Sequence, residues 1–304
     1  MTSTQDYSTR IEAAAVALKE SDHILIGAGA GLSAAAGLNY QDRRLFQDWY
    51  PQFAELGYRN IWDAITHHWG PDDANRRQFW AFWATHIQRI RYDAGPGKLY
   101  LDLHRLVRDK SHFVITTNVD GQFRKAGFDP HRMFTPQGDY GKFQCARPCR
   151  NILYDNREMV RQILANLDDA KLQAREEDIP RCPNCGDYLE RNLRRDEHFV
   201  EEPHMEKQRD YANFVNHSTG GKLVLLELGV GFNTPVIIRW PFERITAQHP
   251  HATLIRINLE DARVPGEIME KSIAFKQDIA QVIQALIDRD PASQTRLAGR
   301  SWPS

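Results

Sequence analysis

The chain has 304 residues, 41% of them hydrophobic, and its 39 basic side chains nearly balance its 40 acidic ones, for a net charge of -1. This balance argues against a nucleic-acid partner, because nucleic-acid-binding proteins normally carry a basic excess. No apolar run approaches the roughly 20 residues of a membrane span, and the first 20 residues resemble neither a signal peptide nor a transit peptide. We therefore expect a cytoplasmic protein that binds neither nucleic acid nor membrane.

The N-terminal region predicts a helix followed by a buried strand. Residues 9–19 are rich in alanine and place apolar side chains on one face, and Thr9 with Glu12 matches a capping box. Residues 23–26 form an apolar run that leads directly into a glycine-rich segment, and the three alanines at 34–36 favour the start of the next helix. Strand, glycine loop and helix in this order are the opening unit of a dinucleotide-binding fold.

Residues 41–95 are unusually aromatic. Five tryptophans and four phenylalanines lie here: Trp49, Trp62, Trp69, Trp80, Trp83, Phe46, Phe53, Phe79 and Phe82. The favoured interpretation is a small helical module whose aromatic side chains form its own core. The alternative is that some of them line a pocket for an apolar arm of a substrate.

The remaining apolar runs predict a parallel sheet with helices on both faces. Core strands are expected at residues 112–116, 222–228 and 252–257, and helices at 99–107, 159–172 and 274–288. The spacing between the strands leaves room for crossover connections, which favours an α/β, Rossmann-like, doubly wound parallel sheet. We expect a Rossmann-like domain from 9–40, 96–140 and 222–288, the helical module at 41–95, a zinc-binding subdomain with an insertion at 141–221, and a tail at 289–304.

The cysteines form two close pairs and none is left over. They are Cys145, Cys149, Cys182 and Cys185. In an intracellular protein this pattern favours a metal site over disulfides, and four thiolates complete a tetrahedral zinc site. Such a closed site stabilises a subdomain and leaves no open position for catalysis; four reduced structural thiols are the alternative.

Polar residues follow the predicted strand at 112–116. Asn118 and Asp120 come directly after it, and Gln137-Gly138 follows further along. Open α/β sheets bind ligands at the carboxyl ends of their strands, so these residues are candidates for a site. As isolated residues they are more often turn formers.

The order of these motifs resembles a sirtuin over roughly residues 22–288. Gly29 to Ser33 matches the sirtuin Gly-Ala-Gly-x-Ser loop, Asn118 and Asp120 match Asn-x-Asp, and Gln137-Gly138 occupies the place of the catalytic His-Gly pair. The segment from Gln137 to Gly141 and the later Glu227 to Gly231 are similar to macrodomain-linked, or class M, sirtuins. The resemblance implies a protein ADP-ribosyltransferase that uses NAD as co-substrate, a structural zinc ion, and a protein substrate.

By this resemblance, further residues are expected to bind the cofactor. The complete expected set is Gly29, Ala30, Gly31, Ser33, Asn39, Tyr40, Arg44, Asn118, Asp120, Gln137, Gly229, Val230, Gly231, Asn258, Leu259 and Ile279. Family members are associated with a lipoylated carrier of the glycine-cleavage H type and with a macrodomain hydrolase that removes the modification. Residues 197–201 lack the central glycine with which deacylating sirtuins bind a peptide strand.

Glutamine at position 137 decides which chemistry is expected. Imidazole takes up a proton near neutral pH, whereas a glutamine amide only forms hydrogen bonds. We expect Asn118 and Asp120 to stabilise the positive charge that develops as nicotinamide leaves, and Gln137 to orient the ribose or the acceptor. The general base is left open between Asp120, Asp139 and a group of the substrate; His131, six residues upstream, is an alternative but is more typical of a surface loop.

Three other functions remain as alternatives to transferase activity. They are a residual NAD-dependent lysine deacylase, an NAD glycohydrolase, and a non-catalytic sensor of NAD or ADP-ribose. General-base catalysis typically contributes roughly 10²- to 10⁴-fold, so a deacylation cycle without it is expected to be slow.

Overall fold

The chain folds around two β-sheets, and the computed structural model describes residues 6–289. The strands in this segment are β1 (His23–Ala28), β2 (Ser111–Thr116), β3 (Met133–Phe134), β4 (Gly138–Cys145), β5 (Tyr154–Asp155), β6 (Leu189–Leu193), β7 (Leu223–Leu228), β8 (Ala252–Ile257) and β9 (Ser272–Phe275). Six of them form a parallel sheet in the order β3-β2-β1-β7-β8-β9. The other three form an antiparallel sheet in the order β5-β4-β6.

Helices cover both faces of the parallel sheet and build a separate module beside it. Within residues 6–289 they are α1 (Tyr7–Glu20), α2 (Ala30–Ala35), α3 (Arg43–Trp49), α4 (Pro51–Glu55), α5 (Ile61–His67), α6 (Arg76–Ile87), α7 (Lys98–Val107), α8 (Gln122–Lys125), α9 (Arg157–Ala165), α10 (Glu202–His217), α11 (Arg239–Gln248) and α12 (Ile279–Asp288). Helices α1, α7 and α12 pack together on one face, and α10 and α11 lie on the other. The predicted Rossmann-like α/β class is confirmed.

Continuous apolar runs form the central strands because both faces of the sheet are covered. Along β1, Ile24 and Ile26 point into the core cluster beneath α1 and α7, whereas Leu25 points into the opposite cluster. All three are at most 1% exposed. Successive side chains of a strand point to opposite faces, so a strand buried on both faces requires apolar residues at every position.

The helical module buries its aromatic side chains in a core that it shares with β4 and α9. Phe46, Phe53, Trp80 and Trp83 are each at most 1% exposed, and each such burial contributes about 1.5–3 kcal/mol to stability. Most of these side chains are thus core residues, but Phe143 and Val160 belong to the same cluster, so the core is not the module's own. Trp62 and Trp69 are the exceptions, at 50% and 40% exposure.

Several predicted helix boundaries are wrong. Helix α1 begins at Tyr7 behind Asp6, so Thr9 lies inside its first turn and forms no capping box. Helix α2 spans Ala30–Ala35, so the alanines at 34–36 end it rather than start it. Helix α9 ends at Ala165, well before Leu172, which has a positive φ of 49°.

The predicted helix at 274–288 is two elements. Residues Ser272–Phe275 form the edge strand β9, and α12 begins only at Ile279, where the Asp278 side chain accepts a hydrogen bond from the Gln281 N–H. The apolar residues of both elements face the same core, so hydrophobicity alone did not separate them. Of the predicted tail at 289–304, residues 290–304 lie outside the described residues. No described helix combines the length and apolar character needed to span a bilayer.

Candidate functional site

The candidate site lies where the chain reverses its direction across the parallel sheet. Strand β1 has β2 on one side and β7 on the other. The chain first moves from β1 to β2 and later returns to β7, so a crevice opens at the carboxyl end of β1. Doubly wound sheets bind ligands at this switch point.

The Asn118 side chain is fixed by three acceptors. Its amide nitrogen donates to the Gly29 carbonyl at 2.9 Å, to the Ser33 hydroxyl at 3.1 Å and to the Tyr100 hydroxyl at 3.3 Å. A carbonyl oxygen only accepts hydrogen bonds, so the atom that faces Gly29 must be the nitrogen. The Asn118 Oδ1 has no hydrogen bond within residues 6–289 and is available to a ligand.

Asp120 is buried and belongs to the same network. Its Oδ2 accepts a 2.6 Å hydrogen bond from the Ser33 hydroxyl, and its Oδ1 accepts one from the Gln122 N–H at 2.9 Å. Burial nevertheless raises the pKa of Asp120 above its ordinary value, and these two hydrogen bonds offset only part of the effect. The carboxyl is 5% exposed and holds a proton more readily than a surface aspartate.

The backbone on both sides of Gln137 lies beside this network, although Gln137 is not itself among the residues that line the cleft there. Ile115 of β2 pairs with Phe134 of β3. Asn118 comes three residues after Ile115 and Gln137 comes three residues after Phe134, so both follow neighbouring strands at the same level of the sheet. Thr135, Gly138 and Asp139 line one cleft together with Asn118 and Asp120. Among the described residues, those lining this cleft include no histidine.

The turn at Gly138 requires glycine. Its φ is +108°, and a Cβ there would lie 2.0 Å from the Asn192 carbonyl oxygen. The Gln137 carbonyl accepts from the Arg194 N–H at 3.0 Å, which fixes the backbone on the side of β6. The Gln137 side chain is half-buried and makes no hydrogen bond within the described residues.

A second carboxylate, Asp139, has the opposite electrostatic character. Its Oδ1 accepts from the Arg91 Nε at 2.8 Å and from the Gly141 N–H at 2.7 Å. Although burial opposes ionisation, Arg91 and these hydrogen bonds hold the pKa of Asp139 below its usual range. The sequence analysis missed both Arg91 and Tyr100, because each reaches the site from a distant helical segment.

The glycine loop packs directly against the end of β7. A Cβ on Gly29 would lie 2.7 Å from the Gly229 oxygen, and one on Gly31 would lie 2.7 Å from the Gly229 Cα. Their N–H groups donate to the carbonyls of Leu228 and Gly229, both at 3.0 Å. Tight backbone packing therefore accounts for these glycines. Ala30 begins α2, where a backbone N–H has no partner within the helix and can bind an anion.

A buried ion-pair cluster holds the loops that follow β7 and β8. Arg256 contacts Glu227 at 2.7 Å, and neither side chain is exposed. Arg256 also donates to the Arg263 carbonyl, and Arg239 donates to the carbonyls of Arg263 and Asp261. The cluster fixes the backbone around the predicted cofactor residues at the sheet edge.

The other predicted cofactor residues are spread over this edge. The Asn258 amide donates to the Val230 carbonyl at 2.9 Å, which ties the two loops together. Gly231 has open space around it, and Leu259 is 63% exposed. Ile279 is 3% exposed and packs in the core.

The segment after the glycine loop faces the helical module. Asn39 is exposed and accepts a hydrogen bond from the Gln41 N–H, whereas Tyr40 contacts the buried His86. Arg44 lies exposed in the first turn of α3, where Asp42 caps its N–H.

His131 lies away from the candidate site. It lines a different cavity of about 320 Å³ together with His23 and Ser111, the first residues of β1 and β2. These residues mark the amino ends of the strands, roughly 20 Å from the carboxyl ends for a six-residue strand and its flanks. The alternative in which His131 replaces the catalytic histidine is not supported.

The four cysteines converge at one end of the small antiparallel sheet. The sulfurs of Cys145 and Cys185 are 3.7 Å apart, and those of Cys149 and Cys182 are 3.6 Å apart. Tetrahedral zinc with Zn–S bonds near 2.3 Å requires sulfur separations of about 3.8 Å. The four residues thus fit a closed structural zinc site, as predicted, and β4 connects that site to the Gln137 segment.

Comparison with known proteins identifies the family. No family model matches the chain. Over 290 residues it is 33% identical to a protein ADP-ribosyltransferase from Staphylococcus aureus strain Mu50, covering 94% of this chain and 89% of that protein. Over 281 residues it is 30% identical to a probable bifunctional ADP-ribose hydrolase/ADP-ribosyltransferase from Fusarium oxysporum f. sp. cubense, covering 89% of this chain but 46% of that longer protein.

Solved structures agree with the observed fold. A Sir2 enzyme bound to a propionylated peptide matches with a TM-score of 0.58 at 16% identity, covering 91% of this chain and 97% of that one. A Sir2 complex with a p53 peptide and NAD+ matches with a TM-score of 0.54 at 17% identity, again covering 91% and 97%. The structures establish the fold and the bacterial relative establishes the family: this chain belongs to the sirtuin family of protein ADP-ribosyltransferases.

Proposed function

We propose that this chain transfers ADP-ribose from NAD to a protein acceptor. The observation that carries the proposal is the polar network at the carboxyl ends of β1 and β2, where the fixed amide of Asn118 and the buried carboxyl of Asp120 are both hydrogen-bonded to Ser33 and line a cleft with Gly138 and Asp139. NAD supplies the ADP-ribosyl group and a nicotinamide leaving group when it is bound. The names of both curated relatives support transferase activity.

The residues divide the work according to their environments. Asn118 presents its free Oδ1 to the substrate because its nitrogen is held by the Gly29 carbonyl. Gln137 donates and accepts hydrogen bonds but takes up no proton at neutral pH. Asp120 is the better proton acceptor of the two carboxyls because burial raises its pKa, whereas Arg91 keeps Asp139 ionised.

The acceptor protein is a finer part of the proposal. A lipoylated carrier of the glycine-cleavage H type is the candidate, and it rests on the resemblance to class M sirtuins. A functional link to a macrodomain hydrolase rests on the same resemblance. The name of the fungal relative joins an ADP-ribose hydrolase and an ADP-ribosyltransferase in one chain.

The proposal is tested by intact-mass measurement of a lipoylated H-type carrier incubated with the protein and NAD. We expect the carrier to gain the mass of one ADP-ribosyl group, and Asn118→Ala to slow this gain by about 10²-fold or more, as for other removed charge-stabilising groups. His131→Ala is the matched control and should keep full activity, since His131 lies outside the cleft.

Each alternative gives a different result in the same experiment. Nicotinamide release without labelled carrier indicates a glycohydrolase. Loss of acyl groups from acyl-lysine peptides, at the rate of a sirtuin with its histidine, indicates a deacylase. NAD binding without nicotinamide release under any added protein indicates a sensor and contradicts the transferase.

A further inference from the structure

A chain of polar side chains crosses the aromatic core of the helical module. The Tyr50 hydroxyl lies 2.9 Å from His86 Nδ1, and the Tyr40 hydroxyl lies 3.3 Å from His86 Nε2. His86 has no exposed surface, and its ring packs edge-on against those of Tyr40 and Tyr140, at 5.4 and 5.1 Å between centroids. An imidazole thus bridges two tyrosines inside a core rich in aromatic rings.

Both hydrogen bonds of this chain depend on a neutral ring. Burial lowers the pKa of His86 to about 3, so the ring is neutral and has one donor and one acceptor nitrogen. One ring nitrogen therefore donates to a tyrosine hydroxyl while the other accepts from one, and the tautomer decides which of Tyr40 and Tyr50 is the donor.

The far end of the chain reaches the candidate site. The Tyr140 N–H donates to the Val119 carbonyl at 3.0 Å, and Val119 lies between the two residues proposed to act on the substrate. Val119, Tyr40 and Tyr140 pack in the same hydrophobic cluster. Tyr40 also belongs to the segment that follows the glycine loop, and its carbonyl accepts from the Trp62 N–H.

A second buried histidine in the same core provides a contrast. His68 is 1% exposed and stacks on Phe82 at 4.9 Å between ring centroids, as His86 does at 5.7 Å. Both ring nitrogens of His68 lack a hydrogen-bond partner within the described residues. His68 therefore fills space, whereas His86 fills space and holds two hydroxyls.

We infer that His86 is a positioning residue for NAD, acting through the Tyr40 hydroxyl to fix the segment after the glycine loop against the end of β2. The inference rests on the proposed function, because it assigns that segment to NAD binding. It requires the Nε2 hydrogen bond to Tyr40 specifically. The Nδ1 bond to Tyr50 only orients the ring.

The two ring nitrogens can be separated by substitution. In His86→Gln the side-chain amide lies where Nε2 was and can still donate to Tyr40. In His86→Asn the amide lies where Nδ1 was and reaches only Tyr50. His86→Leu removes both hydrogen bonds, and His68→Phe is the matched control for disturbing the same aromatic core.

The measurement is the Kd for NAD by calorimetry on the intact chain, with the KM and kcat of nicotinamide release beside it. We expect His86→Asn and His86→Leu to raise the Kd and KM about tenfold, equivalent to about 1.4 kcal/mol, with kcat nearly unchanged. His86→Gln and His68→Phe should stay within about twofold of the wild type, a change too small to equal one lost hydrogen bond.

Two outcomes overturn the inference. One is a wild-type Kd in the Asn variant, and the other is an equal loss in the Gln and Asn variants. Thermal unfolding of each variant identifies any variant that fails to fold. If His86→Leu does not fold, the comparison of His86→Gln with His86→Asn still tests the inference. Failure of the proposed function is distinct, because there the wild-type protein binds no NAD or labels no carrier.

Discussion

At the scale of single residues, the two carboxyls of the site make opposite predictions for stability. Asp120 has a raised pKa, so its folded form retains a proton that the unfolded chain loses at about pH 3.9. Its stabilising contribution is complete below that pH and is lost as the pH rises through the folded pKa. Near neutral pH the buried charge of Asp120 therefore destabilises the fold. The proposed function gives a reason for keeping this charge, because Asp120 is the proton acceptor proposed for the site.

We therefore predict that Asp120→Asn increases the free energy of unfolding at pH 8, by about 1 kcal/mol, while it lowers transferase activity. The gain should shrink as the pH falls toward 4. Asp139→Asn is the matched control and should destabilise the protein at neutral pH, because it leaves Arg91 buried without its anion. Urea unfolding at pH 5 and 8 measures both; a gain for Asp120→Asn that does not depend on pH would contradict the argument.

At the scale of elements, the glycine loop and the end of β7 approach each other backbone to backbone. Gly229 has a φ of +60°, and a Cβ there would lie 2.5 Å from the Gly31 carbonyl carbon. Alanine disfavours this backbone region, and backbone atoms cannot move aside as a flexible side chain can. The contact joins two segments proposed to bind NAD, so its loss should affect both.

We predict that Gly229→Ala lowers the free energy of unfolding by about 2–4 kcal/mol, from overpacking together with the left-handed backbone. Gly231→Ala is the matched control, since nothing lies within 4 Å of a Cβ at that position. It should change stability by less than about 0.5 kcal/mol. Denaturant unfolding of both variants measures the difference, and equal effects would show that the loop does not press against β7.

The sequence predicted elements well where one local signal dominates. The strands β1, β2, β7 and β8 are continuous apolar runs because the sheet is buried on both faces. Strand β9 was missed because it has only four residues, three of them half-buried at a sheet edge, and the apolar residues of α12 follow shortly after. The start of helix α2 was predicted too late in the chain, because it depends on packing against Gly229. The local run of alanines carries no information about that distant contact.

The same limit applies to the site. Asn118 and Asp120 could be found because they follow a strand, and the cysteines because they pair along the chain. Tyr100 and His86 could not be found, because both lie on helix positions typical of a core and acquire their partners only through the fold. The roles of the predicted site residues remain predictions.

At the scale of the whole molecule, the three histidines of residues 6–289 whose pKa values burial lowers most link folding to pH. Burial lowers the pKa of His86 to about 3 and those of His68 and His204 to about 4. They lie in the helical module and on α10, so the effect is not confined to one element. An unfolded chain protonates all three below about pH 6.5, whereas the folded chain does not until the pH approaches these lower values.

We predict that the free energy of unfolding falls by up to about 4 kcal/mol per pH unit between about pH 6 and 4, since each histidine contributes about 1.4 kcal/mol per unit. The stabilising contribution is complete above pH 6.5 and is lost as the pH falls, because the unfolded state then binds more protons. Against a typical stability of about 5–15 kcal/mol, unfolding should occur in this pH window.

Urea unfolding at steps of half a pH unit measures the slope of the free energy of unfolding against pH, which His68→Phe should reduce by about a third. A flat profile in the wild-type protein would mean that these imidazoles are charged in the folded state.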